Sequence, residues 1–511
     1  MLSRRPLRPP SRVVVLCGAI LLGFVATVRA DPKPLPKDEQ AKVDKAIDKA
    51  VAYLKRKQTK QGNWPTHWKN RYLVGECALP AYALLEAGVP ANDPVIQKAA
   101  DYIRPKVANT DDTYELSLAV LFFDLLGDPQ DKTLIQTCAL RLIAGQYWTG
   151  GWGYICPRFK KGQETALLRV LDAMSKHLKG RKPTKEQVKA RRALADPRSV
   201  PIWPLLAPSP GDIAEDYKDY RRGRREHHLP PGLKGFKGLA VFQDLDKLPW
   251  REVGFNGKNE NYPESVPLVG MTDNSNTQFA MLALWVAQHH GIPTEATFRL
   301  LVARFERSKI GMYLFSKQLF SKSELANPSN GSMICVDLLG LAIGRGLNLP
   351  TPSLAQPAVA DLRIMTRLAA LYSLIGIPTG QMDKPLPKQS VYFLWSLERV
   401  GMLFNLPTLG DKEWYRWGAE VLVSNQLDTG EFDAGDKRED ARFPRPDPYG
   451  PILKTAFAIL FLKHSHPMKD LTPKLPFTAK QLNDAIARLR PSDSRLERST
   501  PTPSRNTKPE R

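Results

Sequence analysis

Gln58-Thr59-Lys60-Gln61-Gly62-Asn63-Trp64 decides how this chain folds, because the pattern comes back. It returns as Gln146-Tyr147-Trp148-Thr149-Gly150-Gly151-Trp152, and again as Gln426-Leu427-Asp428-Thr429-Gly430-Glu431-Phe432. A worn fourth copy runs from Arg307 through Gly311 to Tyr313. The shared form is Q-x3-G-x-aromatic. Each copy closes an apolar stretch with helical spacing, and another such stretch follows most copies. A motif tied to one local context is a structural repeat, which fixes architecture before any chemistry is considered. The glycine gives a tight exit from a helix. The aromatic ring packs across the corner, and the glutamine is placed to hydrogen-bond backbone groups at the start of the next helix.

The stretches between the copies read as helices. Glu39 to Lys57 carries Val43, Ile47, Val51 and Leu54 on one stripe. Tyr72 to Ala87 is the next, stopped by Gly88 and Pro90, and Pro94 opens another at a favourable first-turn position. Asp111 or Asp112 caps a helix from Thr113 to Leu126, which Gly127 and Pro129 stop. Asp131 to Gly145 leads into the second copy. At Pro157 the rhythm breaks until about Gly270. A helix is expected near 163–178, followed by a Pro- and Arg-rich insertion that reads as a lid or an irregular segment. From Asn274 helices are expected near 275–290, 294–308, 332–345, 355–375, 390–405, 411–425, 452–464 and 478–490. Strand signals are nearly absent. Hairpins of about 40–45 residues fall in the size range of helical repeat units. They stack into an open solenoid or close into a ring of inner and outer helices.

Composition adds context. Arg4, Arg5, Arg8 and Arg12 precede an apolar run from Val13 to Thr27, and Val28-Arg29-Ala30 is a small-residue cleavage site, so residues 1–30 read as a secretory signal peptide. That run is short for a membrane span, which needs ~20 residues. An exported protein is expected, periplasmic or extracellular after cleavage near Ala30, with no transmembrane segment in the mature chain. Removing the leader's five arginines from the formal +22 leaves +17. Arg221, Arg222, Arg224 and Arg225, with the tail after Arg488, hold much of the excess. Such segments suit an anionic surface or are solvated linker charge. Export argues against nucleic acid. Cys77, Cys138, Cys156 and Cys335 match no zinc spacing, and read as buried thiols or one bridge.

The repeated Q-x3-G-x-W between helices resembles the repeat of squalene and oxidosqualene cyclases and of protein prenyltransferase β-subunits. The resemblance covers residues ~40–155 and ~270–465. It implies an all-α fold: an α/α toroid with about six inner and six outer helices around a central cavity. Complement-type thioester domains share that architecture. Tyr392 to Gly401 and Trp414-Tyr415-Arg416-Trp417 resemble exported bacterial proteins carrying this repeat. Function does not travel with fold.

Each chemistry of the resembled families demands particular residues. Cyclisation starts when an acid protonates an alkene or epoxide above an aromatic-lined cavity that stabilises carbocations. The D-x-D-D of hopene-forming members is absent, but Asp111-Asp112-Thr113-Tyr114-Glu115 matches the D-x-T-x-E of oxidosqualene members. Asp111, Asp112 and Glu115 are therefore the candidate catalytic acids, although at an expected helix start capping acids are ordinary. Prenyltransferase zinc needs Asp-x-Cys and a later His; Cys335-Val336-Asp337 reverses that order, and His464 and His466 lie far downstream. A thioester needs glutamine soon after cysteine, and Cys77 is followed by Ala78-Leu79-Pro80. The adjacent pairs His227-His228 and His289-His290 diverge and make no metal site. No metal or cofactor is expected. Glycan chemistry needs two opposed carboxylates, for which Asp112, Glu115, Asp273, Asp337 and Glu398 are the positional candidates.

Asp273-Asn274-Ser275-Asn276-Thr277-Gln278 is dense in polar groups directly before an apolar helix, and reads as a ligand-binding rim or a helix cap. Trp148, Trp152, Trp285, Trp395, Trp414 and Trp417 read as cleft lining or core. Asp273, Asn274, Trp285 and Trp395 are the candidate binding residues. The expected layout is a leader over 1–30, toroid over 31–156 and 271–490, an insertion over 157–270, and a basic tail over 491–511. The leading reading is an exported binding or scaffold module with a central cavity for an apolar or polymeric ligand of the cell envelope. The alternatives are an isoprenoid cyclase with an Asp general acid, and a carbohydrate-active (α/α) ring enzyme.

Overall fold

The computed structural model describes residues 32–65, 72–146, 150–159, 162–179, 272–307, 328–348, 357–432 and 450–489. Its helices are α1 (Lys37–Lys57), α2 (Gly75–Glu86), α3 (Pro94–Val107), α4 (Thr113–Leu126), α5 (Lys132–Ala144) and α6 (Gln163–Lys179). After residue 271 come α7 (Asn274–Ala287), α8 (Glu295–Arg307), α9 (Pro328–Leu347), α10 (Pro357–Tyr372), α11 (Val391–Leu403), α12 (Trp414–Ser424), α13 (Gly450–Leu462) and α14 (Ala479–Leu489). Four isolated β-bridges are the only extended pairing among the described residues.

Two kinds of helix alternate, and burial separates them. Every residue of α7 and of α11 is buried. A helix apolar on all sides belongs inside a layer of other helices. Helix α1 instead buries Val43, Ala46, Ile47, Ala50, Tyr53 and Leu54 and leaves its lysines outside. Val51 is only half-buried, because a seven-residue step from Val43 lands on Ala50 and sets Val51 at the edge of the stripe.

The inner helices close a ring. Helix α2 packs on α4, α4 on α7, α7 on α9, α9 on α11, α11 on α13, and α13 returns to α2. Outside them, α3 covers α2 and α4, α5 covers α4 and α7, and α8 and α10 lie on α9. Helix α12 touches α11 and α1, and α1 bridges α13, α2 and α12. Helix α6, the first helix after Pro157, packs on α5 and α8. The fold is an all-α toroid.

The repeated motif shows how the ring is held. Gln58 Nε2 donates to the carbonyl of Gly62 at 2.9 Å and to that of Val95, in α3, at 2.8 Å. Gln146 does the same to Gly150 and to Thr297 of α8, at 3.0 and 3.1 Å. Gln426 does it to Gly430 and to Ala46 of α1, at 2.9 and 2.8 Å. Three residues beyond each bonded carbonyl, the helix backbone presses on the motif glycine. A Cβ on Gly62, Gly150 or Gly430 would fall on the carbonyl of Lys98, Leu300 or Lys49. The glycines also have φ of +93°, +82° and +101°, a region costly for any residue with a Cβ. The tryptophans tie back to the helix just ended: Trp64 Nε1 donates to the Leu54 carbonyl at 2.8 Å and Trp152 Nε1 to Leu142 at 2.6 Å.

Each motif thus clamps one outer helix to the next outer helix: α1 to α3, α5 to α8, and α12 to α1. The third copy joins the last hairpins to the first. Arg416 of α12 reinforces that seam, with its Nε 2.7 Å from the buried Glu39 carboxylate. The fourth copy, beyond Arg307, lies outside the described residues, as do the leader and the tail after Leu489.

Candidate functional site

The first turns of the inner helices meet at one mouth of the ring. Asp112 caps α4, its Oδ1 accepting from the backbone N–H of Tyr114 at 2.9 Å and of Glu115 at 3.2 Å. Glu115 reaches across to α2, where its Oε1 accepts from Val74 N at 2.7 Å and Gly75 N at 3.2 Å, while Thr110 Oγ1 donates to Oε2. Asp111 is exposed and pairs with Arg158 at 3.3 Å. The three acids of the D-x-T-x-E match therefore have separate structural duties: a cap on its own helix, a cap on a neighbouring helix, and a surface ion pair. Thr113 donates to the Gly153 carbonyl at 2.6 Å.

Residues following the second motif stitch this mouth together. Thr113 N donates to Tyr154 O at 2.8 Å and Cys156 N to Asp111 O at 2.7 Å, while Asp273 N donates to Trp152 O at 3.0 Å. Asp273 caps α7 through Asn276 N at 2.8 Å, and its carboxylate also accepts from Ser275 Oγ at 2.8 Å and Asn276 Nδ2 at 2.6 Å. The Tyr114 hydroxyl bonds Ser275. Burial, and then the nearby Asp273 charge, pushes the Tyr114 phenol well above its ordinary value. Asn274 turns the other way. Its Oδ1 accepts from Arg304 at 3.1 and 2.7 Å, and its Nδ2 lies 3.4 Å from Asp337, which pairs with Arg367 at 3.0 Å. Asp337 and Arg367 are both fully buried. An ion pair that far from water holds its place only with such added hydrogen bonds.

Below the mouth, aromatic rings fill the ring interior. Tyr154, on the surface, meets Tyr114 edge-on at 5.9 Å. Tyr114 meets Phe279 at 5.2 Å, Phe279 stacks on Trp395 at 5.0 Å, and Trp395 meets Phe457 at 5.0 Å. Hydrogen bonds span the same level: Tyr392 donates to Gln278 Oε1 at 2.5 Å, and Gln278 Nε2 lies 3.3 Å from Ser396 Oγ. Trp395 thus joins the interior that Asp273 and Asn274 overlook. Trp285 does not. It sits at the far end of α7, where its Nε1 donates to Asp470 at 2.7 Å and its ring packs on Phe298.

One charged pair was not among the candidates singled out for binding. Arg399 lies with its guanidinium 3.4 Å from the Trp395 ring centroid, and its Nη1 donates to the Trp395 carbonyl at 2.7 Å. Glu398 is 3.5 Å from Arg399. Both are buried completely. Among the described residues, both Glu398 oxygens, Arg399 Nε and Nη2, and Trp395 Nε1 have no hydrogen-bond partner. Burial pushes the Glu398 carboxyl well above the usual range, and it brings Arg399 down only to about 10. A charge pair inside the apolar run Tyr392 to Phe404 is the sequence signal that marks it.

The four cysteines among the described residues, Cys77, Cys138, Cys156 and Cys335, are buried free thiols. Burial raises all four, with Cys138 and Cys156 reaching about 12. That leaves no nucleophilic thiolate near neutral pH among the described residues.

Residues 34–120, from the segment before α1 into α4, match the family model of the squalene-hopene cyclase C-terminal domain. A squalene–hopene cyclase of Bradyrhizobium diazoefficiens is 38% identical over 65 residues, which are 13% of this chain and 10% of that protein. The chain is terpenoid-cyclase-like. The family match takes in one copy of the repeated motif, Gln58 to Trp64, and the alignment with that relative spans only about a tenth of its length. No solved structure matches. No helix among the described residues of this terpenoid-cyclase-like chain is long and apolar enough to cross a membrane.

Proposed function

We propose that this terpenoid-cyclase-like ring is a binding module for an apolar ligand, held among the aromatic side chains of the inner helices, and not a cyclase. The observation that carries the reading is the use of the mouth acids. A cyclase built on the D-x-T-x-E match needs one of those acids free to donate a proton into the aromatic interior. Asp112 and Glu115 accept backbone N–H bonds at two helix starts, and Asp111 pairs with Arg158 at the surface. The line of rings from exposed Tyr154 to buried Phe457 gives an apolar molecule a path inward. Those rings touch one another, so a ligand enters by displacing them. Export, and contact of the basic segments with an anionic surface, belong to the same proposal.

The test is incubation of the full chain with squalene and oxidosqualene, followed by separation of products and measurement of retained hydrocarbon. Retention without conversion supports the module. Cyclised product that disappears in Asp112→Asn would replace it with the cyclase reading, which the family match over α1 to α4 favours.

A further inference from the structure

Two fully buried polar side chains of the ring, Glu398 and Arg399, have no explained role in binding an apolar molecule. Arg399 offers Nε and Nη2 side by side, the edge of a guanidinium that fits a carboxylate with two parallel hydrogen bonds. Neither nitrogen has a partner among the described residues, and the side chain is fully buried. A buried donor left unmade costs the full desolvation of that group, more when it is charged. An arginine kept in such a place calls for an explanation.

Glu398 does not supply one. It lies 3.5 Å from Arg399, but neither of its oxygens takes a hydrogen bond, and burial favours its neutral form. Arg399 keeps its proton at neutral pH. Glu86, partly exposed at the end of α2, and the hydroxyl of Tyr82, which shares a 3.1 Å hydrogen bond with Ser465, lie within electrostatic reach. Neither hydrogen-bonds the open fork.

We infer that Arg399 is an internal anion site that takes the carboxylate of an amphiphilic ligand whose apolar chain lies along Trp395, Phe279 and Tyr114. This rests on the binding-module reading and names its ligand class. The flat fork matches a planar carboxylate, which accepts two parallel hydrogen bonds from it. Trp395 serves both parts, with Arg399 over its face and Phe279 stacked on it. The site is closed in this structure, so loading requires the aromatic side chains to move.

The experiment measures binding of hexadecanoic acid, hexadecanol and sodium acetate to the full chain by tryptophan fluorescence and by calorimetry. It is repeated with Arg399→Gln and Arg399→Lys. The expected result is hexadecanoic acid at least tenfold tighter than hexadecanol, with the preference gone in Arg399→Gln and partly kept in Arg399→Lys. Acetate alone should not compete, because the apolar chain supplies most of the affinity. Equal binding of acid and alcohol would overturn the anion site and leave the module standing. Binding of neither would overturn both. Acetate competing as well as the long acid would reduce the site to one for small anions and overturn the amphiphile. The acid-to-alcohol ratio in the unsubstituted chain decides the matter even if a variant fails to fold.

Discussion

Gly430→Ala tests the seam that closes the ring. Gly430 has φ of +101°, and a Cβ there would fall on the Lys49 carbonyl of α1. Left-handed backbone costs a residue with a Cβ about 1–2 kcal/mol. Relieving the collision moves the α12 turn away from α1, which stretches the Gln426 bonds to Ala46 and Gly430, now 2.8 and 2.9 Å. Each such bond contributes about 0.5–1.5 kcal/mol net. The expected loss is therefore about 2–5 kcal/mol. Gly88→Ala is the control, since Gly88 has φ of +96° and nothing within 4 Å of an added Cβ. It should lose only the backbone strain, about 1–2 kcal/mol. Urea unfolding of the full chain, read as midpoint and slope, measures both. Equal losses in the two variants would refute the claim that Gly430 is selected by close approach of α1.

Three further outcomes are expected. Asp112→Ala should cost about 1 kcal/mol for the lost cap, and Asp111→Ala less than about 0.5 kcal/mol as an exposed pair; urea midpoints separate them, and neither should change ligand retention. Arg367→Met leaves Asp337 charged and buried, so it should cost about 3–5 kcal/mol in the same assay. The Glu398 carboxyl is raised in the folded state, so its contribution to stability is present below the unfolded value and fades as pH rises through the folded one. Glu398→Gln removes that titration, so the variant should gain on the parent as pH climbs from 5 to 8 in thermal melts; a constant difference across the range would contradict the assignment.

The helices were legible in the sequence because their ends are local. Asp112, Pro94, Gly88 and Gly127 mark boundaries by chemistry that needs no distant partner, and the expected span 113–126 is the observed α4. The motif was legible as a corner, but its glutamine does not bond the next helix: Gln58 and Gln146 reach the first turns of later helices, α3 and α8, and Gln426 reaches Ala46 in the middle of α1. Which helix was not legible, because α1 and α3 become neighbours only when α2 moves inward. The capping role of Asp112 and Asp273 followed from position alone. That of Glu115 did not, since Val74 and Gly75 lie some 40 residues away in the chain. The Arg304, Asn274, Asp337 and Arg367 network joins four helices, and no spacing rule assembles it. Trp285 and Trp395 look alike in sequence, yet only Trp395 faces the aromatic interior; the difference is which side of an all-apolar helix points inward, and a helix buried on every side carries no periodic signal to say so.

The most direct measurement is mass spectrometry of what the full chain carries. The protein is purified under native conditions, without added lipid, and its small-molecule content is extracted and quantified against protein. The expected result is an apolar molecule bearing a carboxylate, near one per chain. Glycan fragments in its place, or protein that is empty and takes up no apolar molecule when offered one, would contradict it.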